Sequence, residues 1–241
     1  MKCALKLAMI SLVSLTAIQA ADAPPAKPMI GNLPVKKVLF LGNSITLHAP
    51  APGIGWTGNW GMAASEQQKD YVHLLTAGIT KAAGSQPETK VRNIASFERG
   101  YDNLEIEQEF KEELLFNADL VIVAIGENVA EPATEEARGK FAAAFARLLS
   151  ALQKHGQPAI FVRSSFWPNQ TKDDIMRKVS ADASVTFVDI AKIGRDKSNA
   201  AGSERTIEHA GVAGHPGDKG MKAIADELYA AVRRKAGLDA K

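Results

Sequence analysis

Four short segments carry the residue types best suited to chemistry. Gly42-Asn43-Ser44-Ile45-Thr46, Phe97-Glu98-Arg99-Gly100 and Gly126-Glu127-Asn128 each follow a run that reads as a strand. Gly214-His215-Pro216-Gly217-Asp218 stands near the end of the chain, at the start of an amphipathic stretch. Together they offer a hydroxyl, amide donors and an imidazole on separate segments. A serine just past a strand can sit where unpaired backbone N–H groups gather, and such groups stabilise an oxyanion. The Asn128 side chain adds a donor. A histidine within hydrogen-bond reach of the serine supplies the general base. The chemistry that needs this set is acyl transfer through a serine ester.

The elements that must hold these segments are legible as apolar runs. Strands are expected at 35–42 (VKKVLFLG), 90–96, 120–126, 159–165 and 185–190. The runs are near-continuous rather than alternating, as in strands covered on both faces of a parallel sheet. Helices are expected at 71–83 behind Asp70, at 103–115, at 134–154 and at 218–235. In the third of these, Phe141, Phe145, Leu148, Leu149 and Leu152 share one face, and Gly156 stops it. Strands alternating with helices predict an α/β doubly wound, three-layer domain with a central five-stranded parallel sheet, flavodoxin-like in order. Ligands in such folds bind beyond the carboxyl ends of the strands, where the four segments fall.

The segments also resemble a family. VLFLGNSIT is similar to the first block of the SGNH/GDSL hydrolases, GEN at 126–128 to their G-x-N-D block, and HPGDKGM at 215–221 to their terminal histidine block. The blocks come in the family's order and span nearly all of the chain beyond residue 34. The resemblance implies Ser44 as nucleophile and His215 as base. It implies an oxyanion hole built from the Ser44 backbone N–H, the Asn128 side chain and a glycine N–H from the second block, for which NIASFERG offers Gly100. Four positions depart from the pattern. Asn43 replaces the aspartate beside the serine, and Val129 the aspartate after the block-three asparagine. The second block has no glycine but Gly100. Val212 stands three residues before the histidine, where an aspartate usually orients the imidazole. A backbone carbonyl, Glu208 or Asp218 could orient the ring instead, Asp218 being more simply a helix cap.

Trp56 and Trp60 lie in GWTGNWGMAAS at 55–65, soon after Ser44, and with His48 are candidates to line a substrate pocket. Phe166 and Trp167 end the fourth strand at the same face. The string GIGWTG at 53–58 matches a dinucleotide fingerprint but follows APAPGIG, not a strand. There is no G-x-S-x-G elbow of the α/β-hydrolase kind. His48, His73, His155 and His209 show no metal-ligand spacing, and neither metal nor cofactor is implied.

The 241 residues carry 29 basic and 27 acidic side chains and one cysteine. So even a balance disfavours nucleic-acid binding through phosphate contacts. Residues 1–20, MKCALKLAMISLVSLTAIQA, read as a secretory signal peptide: Lys2 and Lys6, a short apolar run, then Ala20. A spanning helix needs roughly 20 apolar residues, so no stable membrane insertion is expected once the signal is removed. Cleavage there takes the cysteine and two lysines, leaving 27 basic against 27 acidic groups. An exposed leader is expected over 21–34 and a single domain over 35–241. The expectation as a whole is a secreted or periplasmic serine esterase acting on a small-molecule or carbohydrate ester, short acyl groups such as acetyl first. The alternatives are a lipid or lysophospholipid esterase and an inactive carbohydrate-binding relative on the same fold.

Overall fold

The apolar run VKKVLFLG enters the sheet at its third residue. In the computed structural model, which describes residues 28–238, it forms β3, Lys37–Gly42. The other core strands are β4 (Glu88–Asn93), β5 (Leu120–Ala124), β6 (Ala159–Arg163) and β7 (Thr186–Val188). All neighbours are parallel, in the order β4-β3-β5-β6-β7. This is the doubly wound order expected from the sequence. Alternate residues serve opposite faces: Val38 and Phe40 pack into one apolar cluster, Leu39 and Leu41 into the other. The first cluster lies beneath α1 (Tyr71–Ala83) and α10 (Asp218–Lys235). The second lies beneath α5 (Glu135–Lys154) and α6 (Gln170–Asp182).

Local chemistry sets the helix ends. Asp70 caps α1 by accepting from the His73 N–H at 2.8 Å, and Thr134 caps α5 by accepting from Ala137 N–H at 3.1 Å. The chain leaves α1 through Gly84 at φ 72°.

Several expected elements change shape. The second strand ends at Asn93 rather than 96, because Asn93 Oδ1 takes the Ala95 N–H at 2.9 Å and turns the chain into α2, Ala95–Gly100. The helix expected at 103–115 is two short pieces, α3 (Ile106–Glu109) and α4 (Lys111–Leu115), which meet at Phe110. Helix α6 was not foreseen. Asn169 caps it, accepting from the Lys172 N–H at 3.0 Å. From residue 29 the expected exposed leader is part of the fold. Strands β1 (Met29–Ile30) and β2 (Leu33–Pro34) pair antiparallel, and Ile30 and Leu33 are buried against the α1/α10 side. The burial of Ile30 and Leu33 removes apolar surface from water, which the Ala/Pro/Lys composition of the segment masked. The expected signal peptide lies outside the described residues. No helix among the described residues is long and apolar enough to cross a membrane.

Between β7 and α10 the chain makes α7 (Ala191–Arg195), α8 (Ala201–Glu204) and α9 (Ala210–Ala213). The order of the sheet reverses between β3 and β5, which is where such sheets open a crevice. Ser44 follows β3 and Asn128 follows β5.

Candidate active site

Ser44 leaves β3 in a tight turn. Asn43 carbonyl oxygen accepts from both Thr46 and Leu47 N–H at 2.9 Å, and the Asn43 side chain accepts from Ile45 N–H at 3.2 Å. No helix follows directly; α1 begins only at Tyr71. The turn leaves the Ser44 N–H donating to no described residue, and so free for an incoming oxygen.

His215 reaches the serine from the other end of the chain. Ser44 Oγ and His215 Nε2 are 2.8 Å apart. The opposite nitrogen, Nδ1, lies 2.7 Å from the Gly211 carbonyl oxygen. A carbonyl can only accept, so Nδ1 carries the proton and Nε2 presents its lone pair to the serine hydroxyl. Of the three orienting groups left open by the sequence, the backbone carbonyl does the work. Asp218 is turned away, accepting from Ser65 N–H and Oγ–H at 2.7 Å, and Glu208 is exposed. Val212, at the usual aspartate position, packs with Trp56, Met62, Ala63 and Ala201.

The turn that offers Gly211 is itself held. His209 Nδ1 accepts from Val212 N–H at 3.3 Å and so caps α9. Glu204 accepts from Asp218 and Lys219 N–H at 2.8 and 2.7 Å, fixing the start of α10 just beyond His215. Burial pushes the His215 pKa below the ordinary imidazole value. The Gly211 hydrogen bond and the charge of Glu127 oppose that shift, and His48 and His209 add to it. The imidazole is thus a neutral base at neutral pH.

Asn128 sits half-buried beyond β5, its Nδ2 donating to Glu98 Oε2 at 2.7 Å and its Oδ1 accepting from Arg99 Nη2 at 3.0 Å. The chain reaches it through Gly126, whose φ of 118° no other residue adopts easily, and where a Cβ would strike the Ser165 side chain. Gly100 does not join the site. It ends α2 in an exposed position, and as a last-turn helical residue its N–H points back along the helix toward the Ser96 carbonyl.

The tryptophans divide differently from the sequence expectation. Trp56 is 7% exposed and donates its indole N–H to the His48 carbonyl at 3.1 Å. Trp60 donates to the Ala64 carbonyl at 3.1 Å and meets Trp56 edge-on, centroids 5.5 Å apart. Both pin the 48–64 loop to itself. His48 bridges to Trp60 and turns Nδ1 onto the Ala49 carbonyl at 2.6 Å. Trp167 is the indole beside the dyad. It is 40% exposed, meets the His215 ring edge-on at 5.0 Å and is anchored by Nε1 to the Gly214 carbonyl at 3.1 Å.

A second layer of charge lies under these residues, and reading the sequence missed it. Glu127 has a 2% exposed side chain and meets the fully buried Arg163 at 2.6 Å. The same Oε1 takes the Phe166 N–H at 2.7 Å. Burial raises the Glu127 pKa, but the Arg163 charge and the N–H donors outweigh it, so the group stays below the usual range. The signal was present in the sequence as a glutamate beyond each of two core strands and an arginine ending a third.

No family model matches the chain, and no curated protein sequence matches it. Solved structures do. A protein of Bacteroides uniformis assigned as a GDSL-like lipase superposes with a TM-score of 0.54 at 15% identity, over 83% of this chain and 97% of that one. The acetyl xylan esterase AlAXEase gives 0.52 at 18%, over 81% and 99%. A family two carbohydrate esterase from Clostridium thermocellum, solved with cellohexaose, gives 0.55 at 16%, over 90% and 67%. The chain therefore shares the α/β fold of these GDSL-like lipase and carbohydrate esterase structures, the fold class expected from the sequence.

Proposed function

We propose that the protein is an exported serine esterase of SGNH type that removes short acyl groups, acetyl foremost, from carbohydrate. The observation that carries the reading is the 2.8 Å contact between Ser44 Oγ and an imidazole whose other nitrogen is already held by Gly211. In the reaction Ser44 Oγ attacks the ester carbonyl carbon as its proton passes to His215 Nε2. The oxyanion is met by the Ser44 N–H and the Asn128 amide. The bond to the alcohol oxygen then breaks, and Nε2 returns the proton to that oxygen. Water attacks the acyl-serine in turn, giving its proton to Nε2, and the acid leaves as Ser44 Oγ is reprotonated.

Carbohydrate as the alcohol part rests on two features. The exposed Trp167 face stands beside the imidazole, and indoles stack on the apolar faces of sugar rings. A groove lined by Pro52–Gly55 and Thr206–His209 opens beside α9, the turn whose Gly211 carbonyl orients the imidazole. Acetyl xylan and family two carbohydrate esterases among the fold neighbours support the same class. Export rests on the signal-like residues 1–20.

Labelling with a fluorophosphonate and hydrolysis of nitrophenyl acetate test the assignment. The probe is expected on Ser44, and both Ser44→Ala and His215→Ala are expected to lose about 10³-fold or more in kcat. Unlabelled Ser44 together with an inert ester would make the fold here a binding domain.

A further inference from the structure

Asn43 stands where the family resemblance leads one to expect an aspartate, and its surroundings account for the exchange. Its Nδ2 donates to two buried carboxylates, Glu127 Oε2 at 2.7 Å and Glu98 Oε1 at 3.3 Å. An aspartate there would press a third carboxylate against the pair; the amide donates to both instead.

Glu98, 1% exposed, does more than meet Asn43. Its Oε1 also accepts from Gly126 N–H at 2.7 Å and Asn128 N–H at 3.0 Å, while Oε2 accepts from Asn128 Nδ2 at 2.7 Å. Every partner is a donor, which is the environment of an ionised carboxylate; burial and the charge of Glu127 push its pKa up, and the Asn128 and Gly126 donors oppose that rise. The next residue, Arg99, donates to Asn128 Oδ1 at 3.0 Å. Two neighbours on α2 therefore grip the two ends of one amide with opposite charges. That fixes which way the amide faces. One hydrogen on Nδ2 is engaged by Glu98, and the second remains for another acceptor.

We propose that Glu98 and Arg99 are positioning residues that lock the Asn128 amide so that its second Nδ2 hydrogen meets the oxyanion formed at Ser44. This rests on the esterase reading above. It assigns the pair a role in transition-state stabilisation, exerted through Asn128 rather than by touching substrate.

Glu98→Gln is nearly isosteric and breaks the lock. Its carbonyl oxygen still serves the Gly126 and Asn128 N–H groups, but its NH₂ then faces Asn128 Nδ2, donor against donor. Asn128 relieves this by turning over, which presents its oxygen to the reacting carbonyl. An oxyanion donor is worth about 10²–10³ in kcat, so a loss of about 10- to 10²-fold is expected, with KM near its original value because the contact forms only in the transition state. Arg99→Met, at an exposed position that leaves folding unaffected, is expected to cost several-fold.

The decisive measurement is a double-mutant cycle on nitrophenyl acetate hydrolysis. In an Asn128→Ala background both Glu98→Gln and Arg99→Met are expected to be silent. If either keeps its full effect there, or acts on KM while kcat stands, the positioning role is overturned. Asn128→Ala that retains full kcat overturns it as well, leaving the esterase reading in place. Ser44→Ala that retains activity overturns the esterase reading itself.

Discussion

His215, which meets the Ser44 hydroxyl, and Asn128, at the end of the neighbouring strand, are held by different means. The imidazole rests on one backbone carbonyl and one indole, with no carboxylate among the described residues hydrogen-bonded to it. The amide rests on Glu98 and Arg99, above the buried Glu127–Arg163 pair. The difference follows from what each must do. A carbonyl acceptor selects the imidazole tautomer without burying a charge, which is cheap to build. Fixing the orientation of a primary amide is harder, because its two ends are nearly the same shape. Only unlike partners at the two ends distinguish them.

Breaking the charged side should cost the most. Arg163 is fully buried, and its Nη1 also donates to the Ser164 carbonyl at 2.8 Å. Arg163→Met leaves Glu127 charged and unpaired in the core, a change worth about 3–5 kcal/mol. For a domain of this size that lowers Tm by roughly 6–20 °C, read by thermal unfolding at neutral pH. The loss should shrink in the double variant Arg163→Met/Glu127→Gln, since the buried charge is then gone.

The base side answers differently. Val212→Asp restores the family's usual residue, yet should add no activity. His215 Nδ1 already has its acceptor, and the new carboxylate would enter the cluster of Trp56, Met62, Ala63 and Ala201. An unpaired buried polar group costs roughly 1–3 kcal/mol, more when charged. Lower thermal stability with unchanged or reduced kcat is expected. A gain in kcat would mean that the carbonyl is an inadequate substitute.

This contrast also explains what the sequence disclosed. Ser44 and His215 were readable because one follows a strand and the other precedes a helix, at boundaries that apolar patterning and turn residues mark clearly. The five strands were readable for the same reason. Helix α6 was not: QTKDDIMRKVSAD buries Met176 and Val179 but is otherwise mostly polar, and its Asn169 cap resembles any loop asparagine. The carboxylates were overlooked because glutamate after a strand is ordinarily solvated. Only the convergence of α2 with the β5 and β6 ends buries them, and that is a property of the packed chain. The two tryptophans misled because spacing in a loop says nothing about which way an indole N–H turns.

The finest distinction between the two sides is in pH. Burial depresses the His215 pKa, so the acid limb of kcat/KM should lie below about 6.5, the ordinary imidazole value. The same sign governs stability: as pH falls below that value the unfolded chain binds a proton that the folded one refuses, so His215 destabilises the protein in acid. Trp167 covers one edge of the ring. Trp167→Ala admits water there, reduces the desolvation and should raise the acid limb toward the ordinary value by a fraction of a unit. Arg99→Met, on the amide side, should lower kcat while leaving the limb where it was. If the Arg99 variant moves the limb, or the Trp167 variant does not, the base and donor sides are not separately held.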